Sequence, residues 1–391
     1  MKVTKKYFRN FGETTFPLIC SLDIHYASTW VLIVNTKTGE ILMDENCYGK
    51  IKLVVKKLLH FKDITNPMEV IFEAGGLGYY PYRLLTKHGF TCKMIAPHSL
   101  PKRNRQKNDR LDAADNLSDH LSGALKYVYV PTEQDVEARE TLRERGSWMH
   151  KRTREKQAIG SLTKRNGLIF EGTKTSWTAA HMKWLKTVKT NCSVRQIIDI
   201  KLAMIEKYTQ IIENLEASLH TLFQAHEVYR TQYALYRLLP GVGPINAMTF
   251  TLEALDMNRF NHPKQVMSYS GIIPDCKQSG TYNPSCPITK TGNKYFRLSL
   301  INTAAVYQDA RKIKVPKGFD ELSEPIKTFY TKMCRRLLSR YRHLRGAGKV
   351  SNKAKTAVAR ELCGFLWELL VKISSVVTGK DMQLFYTFAE I

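Results

Sequence analysis

The sequence has few acidic residues for its basic content, no paired cysteine motif and no long apolar run. Its 391 residues include 60 Lys and Arg but only 35 Asp and Glu, which gives a formal net charge of +25. No apolar run is long enough to cross a bilayer, and residues 1–15 lack the apolar centre of a signal peptide. We therefore expect no membrane partner and a cytoplasmic location. The excess of positive charge predicts a polyanionic partner, nucleic acid before all others.

The cysteines also exclude some classes of site. Eight are scattered along the chain without a Cys-x-x-Cys pair, which is typical of reduced cytosolic thiols and argues against structural zinc. Residues 24–27 read Ile-His-Tyr-Ala, so the Gly-rich phosphate loop that a sugar-kinase-like ATPase needs after its first strand is missing. The hydrophobic content of 43% leaves room for two or three folded domains.

The order of elements in residues 1–130 predicts an α/β domain. Alternating apolar residues and turn signals indicate three meandering strands over 17–44, the third over 41–44. A helix over 50–62, a strand over 68–74, a helix over 79–88, a strand over 91–96 and a helix from 109 follow. This order is that of the RNase H-like mixed sheet.

Four acidic residues lie at the points where this fold would bring them together. Asp23 is on the first strand, Glu73 ends the fourth, and Asp109 and Asp112 are three apart on one face of the last helix. An acid in a buried strand is costly unless it is paired or bound to a metal, and convergent carboxylates can hold Mg²⁺ or Mn²⁺ against a phosphodiester. The alternatives are a solvated first turn at the helix dipole and strand-end carboxylates that cap turns.

Residues 131–232 form a predicted helical segment. Residues 133–170 are charged and helical, and Ile198, Ile205, Ile212 and Leu219 are seven apart in the run 194–226. This spacing indicates a coiled-coil helix that forms either a long antiparallel hairpin or a dimer stalk. An ordinary amphipathic helix within one domain is the alternative. The basic residues between 145 and 165 would face a polyanion or solvent.

Residues 233–391 form a predicted, mainly α, third domain. Its first motif is Leu-Pro-Gly-Val-Gly-Pro at 239–244, between two predicted helices. Gly241 and Gly243 resemble a helix-hairpin-helix turn, whose backbone N–H groups can bind phosphate, although such a turn can also be only a connection. Next come Gly-Ile-Ile-Pro at 271–274, Lys-Gln-Ser-Gly at 277–280 and Thr-Lys-Thr-Gly-Asn at 289–293, before a helix that carries Arg297.

Taken together, these segments resemble one family. Leu-Asp-Ile-His at 22–25, Phe-Glu-Ala-Gly-Gly-Leu-Gly at 72–78 and Lys-Asn-Asp-Arg-Leu-Asp-Ala at 107–113 look like the acidic motifs of DEDD-type transposases. These belong to insertion-sequence family 110, with its 1111 subgroup, and pair a RuvC-like domain with a C-terminal transposase domain. The segments between residues 268 and 297 are similar to that transposase domain in order and spacing. Asn108 departs from the usual Thr, which removes no carboxylate.

The resemblance implies a bacterial or archaeal, nucleoid-associated DNA recombinase. The four acids Asp23, Glu73, Asp109 and Asp112 would bind the metal. By position Ser279 would be the nucleophile that forms a phosphoserine–DNA intermediate, with Ser270 and Ser285 as alternatives. A free serine hydroxyl needs a base or a metal to activate it.

The resemblance also implies the partners. Element ends and target DNA would be the substrates, a structured bridge RNA would select them by base pairing, and dimers would assemble into a tetramer. The residues expected to contact nucleic acid are Lys107, Arg110, Gly241, Gly243, Lys290, Asn293 and Arg297.

Two other functions remain open at this point. A metal-dependent, Holliday-junction-resolvase-like nuclease would use water, and Ser279 would then be dispensable. A non-catalytic, nucleic-acid-binding coiled-coil protein would work without metal and would tolerate Asp23→Ala.

Overall fold

The computed structural model of the chain describes residues 15–61, 67–101, 108–172, 175–275, 287–316 and 318–389. The chain divides into two compact units, Met1–Pro131 and Thr132–Ile391. The three-domain division, with a separate segment over 131–232, stays a prediction. Within the described ranges no helix is both long enough and apolar enough to cross a membrane.

The first unit contains the predicted mixed sheet, and the fold class is confirmed. The strands are β1 Leu18–Ile24, β2 Ser28–Asn35, β3 Ile41–Tyr48, β4 Met68–Glu73 and β5 Thr91–Ile95. Their order in the sheet is β3-β2-β1-β4-β5, with β1, β2 and β3 antiparallel and β4 and β5 parallel to β1. The third strand is longer than the predicted 41–44, because residues 45–48 continue to pair with the first half of β2.

Helices cover both faces of this sheet. They are α1 Ile51–Leu58, α2 Tyr80–Lys87 and α3 Asp109–Leu121. Because side chains alternate along a strand, Leu18, Cys20 and Leu22 pack with α1 and α2, whereas Ile19 packs with α3 on the opposite face. The α3 helix is therefore fixed against the strands that carry Asp23 and Glu73.

Glu69 is a buried carboxylate on the face of β4 that α3 covers. Its Oε1 lies 2.9 Å from Lys93 Nζ, and its Oε2 lies 2.8 Å from His120 Nε2. Burial raises the pKa of Glu69, but the hydrogen bonds and charges of His120 and Lys93 outweigh burial, so that its pKa is lowered overall. A carboxyl of this kind stabilises the fold above its unfolded pKa of about 4.3 and loses that contribution as the pH falls through its folded pKa.

We expect Glu69→Gln to reduce the free energy of unfolding at pH 7 by about 2–3 kcal/mol, because two donors lose their charged acceptor. The variant should also lose less stability than the parent as the pH falls below about 4.3. Urea midpoints measured from pH 7 to acid test both effects, with the exposed Glu40→Gln as the control. A variant with the parent's acid dependence would contradict the assignment.

The described residues of the second unit are mainly helical. Its helices are α4 Glu133–Arg165, α5 Ala179–Thr187, α6 Cys192–Ala225, α7 Glu227–Arg237, α8 Pro244–Ala254, α9 Pro263–Ser270, α10 Lys294–Ala304, α11 Glu324–Gly346, α12 Ser351–Glu368 and α13 Gly379–Ala389. One large core joins the start of α4 and the end of α6 to helices α7–α13.

Helices α4 and α6 form a long antiparallel pair. Arg145 pairs with Glu216 at 2.6 Å, Arg152 donates to Thr209 at 3.1 Å, and Glu155 pairs with Lys201. The contacts run in opposite directions along the two helices, as in the predicted hairpin. The heptad positions Ile198, Ile205, Ile212 and Leu219 are all buried. Their use in a dimer stalk stays a prediction.

Candidate functional site

The acidic site begins at the ends of two neighbouring parallel strands. Leu22 on β1 is in register with Phe72 on β4, so Asp23 and Glu73 are the next residues along their strands. By alternation both lie on the face that α3 covers, and α3 begins at Asp109. The first unit therefore brings three of the four predicted acids to one end of one face of the sheet.

Three side chains at this end approach one another closely. His25 Nε2 lies 3.3 Å from Asp23 Oδ2 and 3.6 Å from Asp109 Oδ1. One ligand atom from each of these residues lies within 4.8 Å of the others. His25 was part of the acidic motif but received no role in the sequence analysis. The signal was its position two residues after Asp23, directly beyond the end of β1.

Electrostatics at Asp23 favours a cation. Burial is the main cause that raises its pKa, and the negative charges of Asp109 and Asp112 raise it further, while His25 lowers it. Its buried Oδ2 has the 3.3 Å contact with His25 but accepts no hydrogen bond of normal geometry. Two carboxylates and an imidazole, from Asp23, Asp109 and His25, are a set of ligands that fits a divalent metal.

The first turn of α3 is held by its cap and by the sheet. Asn108 Oδ1 accepts hydrogen bonds from the backbone N–H groups of Arg110 and Leu111. Arg110 Nε donates to Asp44 Oδ2 at 2.8 Å, and Trp30 Nε1 donates to Asp44 Oδ1 at 2.9 Å. Asp44 on β3 is therefore a positioning residue, and no local sequence pattern indicates this role. Arg110, which was predicted to contact nucleic acid, is half-exposed and forms an ion pair with Asp44.

The other predicted residues of the first unit lie at the margin of this cluster. Glu73 is half-buried at the end of β4, and Asp112 is half-buried one turn into α3. Neither belongs to the group of three ligands, although Asp112 is close enough to raise the pKa of Asp23. Lys107 lies outside the described residues.

Of the three serines considered as the nucleophile, only Ser270 lies within the described residues. Ser279 and Ser285 lie outside the described residues. Ser270 is the last residue of α9, is fully buried, and donates its hydroxyl to the carbonyl of Met267 at 2.7 Å. A buried hydroxyl that is used inside its own helix is a poor nucleophile, so the structure argues against Ser270.

The segments on either side of residues 276–286 form a short two-stranded ribbon, 272–275 with 287–290, which we call the ribbon. Asp275 N donates to Pro287 O at 2.7 Å, and Thr289 N donates to Ile273 O at 2.9 Å. Pro274 and Ile288 form an antiparallel bridge. Both ends of the stretch that contains Ser279 are thus fixed side by side.

Two glycines allow the close approach at the base of the ribbon. Gly271 has a φ of +65° and Gly292 a φ of +107°. A Cβ at Gly271 would lie 2.2 Å from Thr291 O, and one at Gly292 would lie 2.2 Å from Tyr269 O. Since both contacts are with backbone, any side chain at either position must displace the ribbon.

The predicted phosphate-binding residues here have different surroundings. Lys290 is exposed, with a φ of +57°. Arg297 Nη1 donates to the carbonyl of Ser270 at 2.8 Å. Asn293 caps α10, since its Oδ1 accepts from the N–H groups of Tyr295 and Phe296 at 3.0 Å. The side chains of Asn293 and Arg297 therefore support the protein itself, and a contact with phosphate stays a prediction.

Glu253 is the centre of a buried polar network that the sequence did not reveal. It is fully buried on α8, and both of its carboxylate oxygens accept from Arg143, at 2.8 and 2.7 Å. Asn293 Nδ2 donates to Glu253 Oε2 at 2.7 Å, and Tyr269 donates its hydroxyl to the Glu253 carbonyl at 2.6 Å. Arg139 donates to the neighbouring carbonyl of Leu252. The network fixes α4, α8, α9 and the cap of α10 together.

The glycine turn at 239–244 joins α7 to α8 as predicted. Gly241 has a φ of +80°, and a Cβ there would lie 2.8 Å from Thr303 O. Gly243 is the N-terminal cap residue of α8. These glycines are needed for the turn itself, and phosphate binding by its N–H groups stays a prediction.

The sequence is similar to those of known transposases. The family described as "Transposase IS116/IS110/IS902 family" matches residues 234–316. The putative transposase y4qE of Sinorhizobium fredii (strain NBRC 101917 / NGR234) is 32% identical over 315 residues, which cover 79% of this chain and 77% of the relative.

Two more distant relatives are also named as transposases. The transposase for insertion sequence element IS1533 of Leptospira borgpetersenii is 25% identical, over 64% of this chain and 73% of the relative. The transposase for IS1111A of Coxiella burnetii (strain RSA 493 / Nine Mile phase I) is also 25% identical, over 60% and 64%. Among solved structures, T. thermophilus RuvC in complex with a Holliday junction substrate is 11% identical, with a TM-score of 0.21, over 28% of this chain and 99% of that one.

Proposed function

Because this chain belongs to the IS116/IS110/IS902 transposase family, we propose that it is the DNA transposase of an insertion element. The observation that supports this most strongly is the cluster of Asp23, His25 and Asp109 at the end of an RNase H-like sheet. Its substrates are the DNA of the element ends and of the target. The net charge of +25 favours binding to both.

Asp23 and Asp109 would hold a divalent metal, Mg²⁺ or Mn²⁺, with Glu73 and Asp112 as further carboxylate ligands at the margin. Such an ion, when bound, stabilises negative charge on the attacking and leaving oxygens of a phosphodiester. Asp44 and Arg110 keep the first turn of α3 in place, so that Asp109 stays beside Asp23. His25 adds a nitrogen ligand or a proton carrier at the same point.

In the proposed reaction Ser279 attacks a phosphorus atom of the DNA. A bond forms between its Oγ and phosphorus, and the bond from phosphorus to the leaving deoxyribose oxygen breaks. The serine loses its proton and the leaving oxygen gains one. The phosphoserine–DNA diester keeps the energy of the broken bond for rejoining. We propose further that dimers assemble into a tetramer and that a bridge RNA encoded by the element selects both DNA sites.

Trapping the intermediate tests the nucleophile. The full chain would be incubated with Mg²⁺ and element-end DNA, with and without RNA transcribed from the flanks of the element. We expect a DNA–peptide adduct on Ser279 by mass spectrometry, and none with Ser279→Ala or with EDTA. Ser285→Ala is the matched control, which should retain the adduct. Cleavage without an adduct that survives Ser279→Ala would instead identify a nuclease that uses water.

A further inference from the structure

We infer that a cleft beside the ribbon binds one strand of nucleic acid. The cleft has a volume of about 440 Å³ and lies between the ribbon on one side and the end of α11 with the first half of α12 on the other. This volume lies within the range of about 300–1,000 Å³ that is usual for sites that take a small molecule. It suits one or two nucleotide units and is far too small for a duplex.

The floor of the cleft is apolar. Ile272 and Ile288 contribute to it from the ribbon, and Leu344 and Ala357 contribute from the helices. Ile272 is also part of the core, with 1% of its surface exposed, so the floor is anchored to the body of the unit. A nucleobase has two apolar faces and can be taken out of water against such a surface.

The rim of the cleft is cationic. Lys349, Lys353 and Arg360 line it, together with the polar side chains of Asn352 and Thr356, and no Asp or Glu is among the described residues of its lining. Three cations around an apolar floor complement a base that carries its phosphates at the edge. A double helix keeps its bases stacked and paired, so the complement of this cleft is a single strand, of either DNA or RNA.

The position of the cleft suggests what the bound strand is for. The residues of its ribbon wall directly precede and follow residues 276–286, the stretch that contains Ser279. A strand held by Lys349, Lys353 and Arg360 would therefore pass the two described ends of the stretch that contains the proposed nucleophile. This use rests on the proposed function, whereas the binding itself does not.

The test measures binding without cleavage. The full chain carrying Asp23→Ala, in EDTA, would be titrated with short fluorescein-labelled oligonucleotides: single-stranded DNA, RNA of the same sequence, and the DNA duplex. The cleft variant combines Lys349→Ala, Lys353→Ala and Arg360→Ala. The control combines Lys207→Ala, Lys264→Ala and Lys380→Ala, exposed lysines away from the cleft that remove the same total charge.

We expect the cleft variant to lower the slope of log K against log salt by about 2 for a single strand, since each phosphate contact contributes about 0.7. The control should keep most of the slope. A photo-crosslinking residue replacing Thr356 in the cleft should give an adduct with the single strand, and the same replacement of the exposed Thr387 on α13 should give none. The DNA and RNA arms then decide which strand is bound.

Equal slopes for the cleft and control variants, or no adduct from position 356, would overturn the inference. So would an adduct that forms with the duplex alone. The crosslinking measurement does not need the triple variant to fold, because only Thr356 is changed. None of these binding results would contradict the proposed cleavage chemistry. Conversely, a chain that does not cleave DNA could still be tested for binding at the cleft.

Discussion

Asp23→Asn is expected to lower the rate of metal-dependent DNA cleavage by about 10³-fold, which corresponds to about 4 kcal/mol of transition-state stabilisation. Asp23 is the most buried member of the acidic cluster, with 17% of its side chain exposed against 39% for Asp109 and 45% for His25. The substitution keeps the shape of the side chain but removes the charge that would hold the metal. It also removes repulsion with Asp109 and Asp112, so the fold should not be destabilised.

Single-turnover cleavage of element-end DNA measures this effect, in Mg²⁺ and again in Mn²⁺. Glu40→Gln, which removes an exposed carboxylate of the same unit, is the matched control and should keep the parent rate. The urea midpoint of Asp23→Asn should be equal to or above that of the parent. A rate within tenfold of the parent would show that Asp23 is not a metal ligand in the reaction.

Glu253→Ala is expected to lower the free energy of unfolding by about 3–5 kcal/mol. Glu253 is fully buried, and its removal leaves Arg143, which is about one-third exposed, and Asn293 without their acceptor. An uncompensated charge at a partly buried site costs far more than the pair gains when intact. The loss should also loosen the cap of α10.

The matched control is Glu216→Ala, which breaks the pair with Arg145 on the hairpin. That pair is partly solvated, with 33% of the Glu216 side chain exposed, so we expect a loss of at most about 1 kcal/mol. Urea unfolding followed by tryptophan fluorescence suits the comparison, because four of the five tryptophans, Trp148, Trp177, Trp184 and Trp367, are in the second unit. Equal losses for the two variants would contradict the role of burial.

Much of the first unit could be predicted from the sequence because its signals are local. Strand alternation and turn residues indicated the order of the elements, and that order indicated the sheet. The parallel pairing of β1 with β4 then placed Asp23 beside Glu73. The length of β3 was underestimated because the polar residues Glu45 and Asn46 interrupt its apolar pattern, and their pairing depends on β2 rather than on their own propensity.

The parts that could not be predicted depend on contacts between distant residues. Asp44 and Arg110 are 66 residues apart, and Arg143 and Glu253 are 110 apart, so no local spacing connects either pair. Asn293 illustrates the same limit. The family resemblance implied a contact with nucleic acid, which stays a prediction, but the sequence did not show that the Asn293 side chain caps α10 and donates to Glu253. In a sequence, a polar residue at the start of a helix is compatible both with capping that helix and with contacting a phosphate. Only the residues packed around it in the fold show which of the two its side chain does.

The length of the antiparallel pair of α4 and α6 sets a distance within the second unit. Its helices contain 33 and 34 residues, so at 1.5 Å per residue each is about 50 Å long. Duplex DNA advances 3.4 Å per base pair, so this length equals about 15 base pairs, more than one full helical turn. The core reaches Leu142 on α4, so the remaining 23 residues to Arg165 carry the end with the aromatic side chains Phe170, Trp177 and Trp184 about 35 Å beyond the core. A rotation of about 8° at the edge of the core would therefore move that end by about 5 Å, roughly the rise of one turn of α-helix.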